Sequence, residues 1–117
     1  MPVAMDPDRF EKLVGDAVDE IPDDLFSKID NCIWMVEDEP GDPDRDLLGF
    51  YDGIPLSERT SSYGVVAPDR IVIYRGPHLR MCVDEDDLIE EVRVTVWHEI
   101  AHYFGIDDDE LDEWGYA

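Results

Sequence analysis

From Asp84 to Gly105 the chain runs through a capping residue, three consecutive acids, a largely apolar stretch and a glycine. That order dictates one long helix and a defined exit from it. Asp84 can accept hydrogen bonds from the first turn, and Glu85, Asp86 and Asp87 match the positive end of the helix dipole. Residues 94–104 are apolar on nearly every side, so the helix is expected to be buried. Ile89, Val92, Val96 and Ile100 are read as its core-facing stripe, opposite His98 and His102. Two imidazoles and the Glu99 carboxylate in such a helix cost on the order of several kcal/mol unless they are paired or coordinated.

The pattern His98-Glu99-Ile100-Ala101-His102 is an HExxH motif, extended by Gly105 and Asp108 to HExxHxxGxxD. Four residues are about one helical turn, so both imidazoles point the same way and can share one metal ion. Glu99, beside the first ligand, can take the proton of a metal-bound water. Gly105 permits a left-handed turn out of the helix, which can return Asp108 toward the ion as a third protein ligand. Asp107 and Asp109 flank it, and spacing favours the middle residue. Three ligands and an open position suit a catalytic zinc ion, Zn2+, whereas a structural zinc is closed by four. The competing interpretation is an amphipathic helix that carries these three side chains by coincidence.

In 117 residues, 31 acids face nine bases, for a net charge of −22. Such a field repels nucleic acid and anionic membranes, and it suits basic partners or cationic peptides as well as simple solubility. It argues against a metal-dependent RNA hydrolase, whose backbone recognition needs a basic surface. No run approaches membrane-spanning length, and Met1 to Phe10 lacks the basic-then-apolar pattern of a leader. Cys32 and Cys82 stand far apart in no metal-ligand spacing, so reduced thiols and a cytoplasmic location are expected.

Asp6-Pro7 opens a first helix, with Phe10, Leu13, Val14, Ala17, Val18 and Ile21 at helical spacing before Pro22. A short helix is expected over Asp23 to Ile29, and strands over Cys32 to Glu37, Leu47 to Asp52 and Arg70 to Arg75. Gly76-Pro77 breaks the third strand, and Glu37 to Asp46 and Pro55 to Gly64 are read as irregular. After Gly105, Asp109 to Trp114 could form a last short helix. Residues 1–117 thus make one α+β domain, a small mixed sheet packed on an N-terminal helix and a long active-site helix, acting as a monomer.

Several further side chains are candidates. Glu91 and Thr95 share a helical face with His98, and either could orient an imidazole or simply pack. His78 is read chiefly as a surface histidine, with substrate contact as the alternative. Tyr103 and Tyr116 could donate to an oxyanion, although packing is the simpler role. The third strand could offer an edge to which a peptide adds.

With the stretches 47–59 and 68–75, the motif resembles the small bacterial zincin-like metallopeptidase family over about residues 6–115. The resemblance implies a minimal zincin domain with His98, His102 and Asp108 as metal ligands and Glu99 as the catalytic base. It also implies a zinc-dependent hydrolase acting on a peptide or protein substrate. The motif is similar to that of metzincins, but no methionine follows Met81 to form their Met-containing turn. The alternative function is a metal-binding protein-interaction module with little or no turnover.

Overall fold

The computed structural model describes residues 3–29, 31–41, 47–53 and 68–106. Helix α1 spans Pro7–Asp19, with Asp6 as its cap. The Arg9 amide donates to Asp6 Oδ1 at 2.8 Å, and Pro7 occupies the first turn, where no amide proton is needed. Phe10, Val14 and Ala17 form its buried stripe. The short helix α2 covers only Asp23–Phe26, ending before the expected Ile29.

Three strands make a mixed sheet in the order β1-β3-β2: β1 is Cys32–Glu37, β2 Gly49–Asp52 and β3 Asp69–Tyr74. β3 is central, parallel to β1 and antiparallel to β2. The third strand therefore offers no edge, a correction to the expectation above. Its Ile71-Val72-Ile73-Tyr74 run is buried throughout, as a strand paired on both sides and covered should be. Among the described strands β2 is an edge, and it lies against the long helix.

Helix α3, Arg75–Met81, follows β3 directly, where the sequence suggested only a break. Pro77 sits in its first turn, the position where proline is compatible with a helix. The Gly76 amide donates to Asp38 O at 2.8 Å, and a Cβ on Gly76 would collide with Glu39 and with that carbonyl. Arg75 and Arg80 pair with Asp38 and Glu39 respectively, tying the end of β1 to this turn.

Helix α4 spans Glu85–Tyr103. Asp84 Oδ1 accepts from the Asp87 amide at 2.8 Å, and Asp87 Oδ2 accepts from the Val83 amide at 3.1 Å, so each end of the cap supports the other. The core-facing stripe is Leu88, Val92, Val96 and Ile100, joined by Thr95, Glu99 and Tyr103. Ile89 is 43% exposed and borders a shallow groove beside Leu13 and Ala17 of α1. The expected stripe thus began one residue late, since neighbours on a helix face directions about 100° apart. α1 packs across α4, and α4 across β2 and β3, around Phe10, Val14, Ile71, Ile73, Val92 and Val96.

Candidate metal centre

The exit from α4 fixes where the motif ends. Gly105 adopts φ +87°, its amide donates to His102 O at 2.9 Å, and the Ile106 amide donates to Ala101 O at 2.9 Å. This pair of bonds around a left-handed glycine is the Schellman ending, which satisfies carbonyls that would otherwise lack partners. It turns the chain away from the axis immediately before Asp107. Asp108, Tyr116 and the short helix expected over 109–114 lie outside the described residues.

One turn back, His98, Glu99 and His102 converge. Their ligand atoms all lie within 4.8 Å of one another, and no other group of metal-binding side chains occurs among the described residues. The two imidazole centroids are 4.6 Å apart at an interplanar angle of 71°. Both rings are half-buried, whereas Glu99 is only 3% exposed. Glu99 Oε1 lies 3.2 Å from His102 Nδ1. With its proton on Nδ1, His102 would donate to this carboxylate and leave the Nε2 lone pair for a metal. Two half-buried imidazoles on one helix face, with a carboxylate beside them, suit zinc and a water bound to it, so the residues present fit such an ion.

Glu99 is held from below by β2. A Cβ placed on Gly49 would lie 2.8 Å from Thr95 Cγ2 and 3.2 Å from both Cγ and Oε2 of Glu99. An isolated glycine inside a strand pattern signals this kind of close approach, and Gly49 between Leu48 and Phe50 was such a signal.

The remaining candidates separate clearly. The Thr95 hydroxyl lies 2.9 Å from both Glu91 O and His78 Nε2, two acceptors that share its single proton. His78 is fully buried, contrary to the surface expectation, and stands against Phe10 at 5.7 Å between ring centroids. Its Nδ1 donates to Tyr74 O at 2.7 Å. Burial pushes its pKa below the ordinary histidine value, with the Tyr74 and Glu91 carbonyls acting in the opposite direction, so the ring is held neutral. Tyr103 is fully buried, edge-on to Tyr51 and Phe104, which is the packing role. Cys32 and Cys82 are not joined by a disulfide, and Cys82 is buried.

The profile of the zincin-like metallopeptidases matches residues 29–116, most of the chain and all of the motif. The chain belongs to this family. The match begins after α1, which packs on α4. None of the curated proteins compared with the chain matches it. For a zincin-like metallopeptidase a metal, a hydrolytic reaction and a peptide or protein substrate are the general expectation, and the His-Glu-His group is where such a metal fits. No described helix is long and apolar enough to cross a membrane.

Proposed function

We propose that this protein is a zinc-dependent peptidase, with His98, His102 and Asp108 as the metal ligands and Glu99 as the general base. The convergence of His98, Glu99 and His102 on one point of a buried helix carries this reading. A zinc ion bound there would supply an acidified water and polarise the scissile carbonyl. Glu99 takes the proton from the attacking water and returns it to the leaving amine. The close approach of Gly49 to the Glu99 side chain supports a restrained carboxylate in this role. A His102 Nδ1 proton donated to Glu99 Oε1 would leave Nε2 to hold the ion.

The substrate is read as an extended peptide lying beside β2, the described edge strand next to α4. The net charge of −22 favours peptides of basic composition. Two cysteines not joined by a disulfide fit a reducing, cytoplasmic setting, and residues 1–117 act as one monomeric domain.

Digestion of a peptide library by zinc-loaded protein and by Glu99→Gln tests the assignment. Cleavage by the wild type that falls at least 100-fold in Glu99→Gln, with zinc retained, is the expected result. Stoichiometric zinc with no cleavage by either protein would instead assign a metal-binding interaction module.

A further inference from the structure

Glu99 needs more than a place in the motif, because a general base works only if its carboxylate is held within hydrogen-bond reach of the reacting water. We propose that His78, Thr95 and Gly49 are positioning residues that fix the Glu99 carboxylate, an assignment that rests on the peptidase reading for its catalytic consequence. The restraint starts at the end of β3. Tyr74 O accepts from His78 Nδ1 at 2.7 Å, which orients the buried ring. His78 Nε2 and Glu91 O, each 2.9 Å from the Thr95 hydroxyl oxygen, then share its single proton.

With its hydroxyl held on that side, Thr95 turns its methyl toward β2. There the methyl and the Glu99 side chain share the space beside Gly49: a Cβ would stand 2.8 Å from Thr95 Cγ2 and 3.2 Å from Glu99 Oε2. Glycine at 49 lets the strand close on the helix against both the Glu99 side chain and the Thr95 methyl, which restricts the room left to the carboxylate. His78 lies outside the metal-binding motif and acts only through Thr95. This explains why a buried neutral imidazole, itself costly, stands between β3 and α4 rather than an aliphatic side chain.

The test compares wild type with Gly49→Ala, Thr95→Ser and the double variant, all zinc-loaded. Gly49→Ala should lower kcat on a cleaved fluorogenic peptide at least tenfold, with KM and zinc affinity within threefold. In the double variant the lost Thr95 methyl makes room, so kcat should return to within threefold of Thr95→Ser alone. A purely structural role would lower the unfolding midpoint and leave kcat per folded molecule unchanged. A nuclear Overhauser effect between the residue 49 Hα and the Glu99 Hγ protons gives a readout that needs no turnover. It should be strong in the wild type, weak in Gly49→Ala and restored in the double variant. If the wild type cleaves nothing, the peptidase reading fails while this signal still decides the positioning claim. Should Gly49→Ala not fold, His78→Leu replaces it, with the same contact weakened and His78→Gln restoring it. An unchanged contact in these variants, or a double variant no better than Gly49→Ala, overturns the proposal.

Discussion

Phe10 offers the sharpest test of how α1 contributes. The family match starts at residue 29, yet Phe10, on α1, is fully buried among core residues from β3 and α4 and stands against the His78 ring. Truncation to alanine removes a whole buried aromatic ring, for which the transfer and cavity terms together come to about 3–5 kcal/mol. A domain of this length holds roughly 6–18 kcal/mol in total, so the loss should consume a large part of its stability. Phe10→Leu refills most of the space and should cost only about 1 kcal/mol. Urea unfolding of both variants measures the difference, with the midpoint shifting at constant m-value. A second consequence is local: opening the space beside His78 admits water and should bring its pKa back toward the usual histidine value. If Phe10→Ala costs less than about 1 kcal/mol, α1 does not complete this core and the packing described for it is wrong.

Acid sensitivity follows from the same histidine. Its folded pKa lies below the unfolded value, so the neutral ring stabilises fully above about pH 6.5 and that contribution declines on acidification toward the folded pKa. The stability difference between wild type and His78→Gln should therefore change as the pH falls below about 6.5, by at most about 1.4 kcal/mol per unit, and stay flat above 7. A difference independent of pH across that window would show that the ring is not held neutral by burial. Burial likewise pushes the Cys82 thiol up to about 11, with nearby Asp87 and Glu91 acting in the same direction. Only about one thiol in a thousand is then ionised at pH 8, so a disulfide reagent should modify Cys32 quickly and Cys82 at the rate of unfolding. Two equal fast phases would contradict the burial of Cys82.

Much of this architecture was legible because its signals were local. Asp6-Pro7 and Asp84 with its following acids marked both long helices, and each cap forms as the side chains allow. Gly105 announced the end of α4 for the same reason: a left-handed residue there is a backbone requirement. What escaped depended on contacts distant in sequence. Gly76-Pro77 reads equally well as a break or as the first turn of α3, and the pairing of Gly76 with Asp38 decides between them. Ile89 and Leu88 are both apolar, and only the placement of α1 and the sheet chooses which one is covered. His78 looked solvent-facing because its two partners, Tyr74 O and Thr95, are supplied by β3 and α4. The central place of β3 was invisible for a similar reason, since strand order is set by pairing across the fold rather than by any one strand's composition. The pair of histidines with Glu99 was visible because helical periodicity alone brings them together.

Zinc titration of metal-free protein, by competition with a chromophoric chelator, tests the central claim most directly. One ion per chain is expected, with affinity lost at least 100-fold in His98→Ala and in His102→Ala and kept in Glu99→Gln. Zinc binding of the same strength and stoichiometry in the His98→Ala/His102→Ala double variant would place the metal elsewhere and contradict the account.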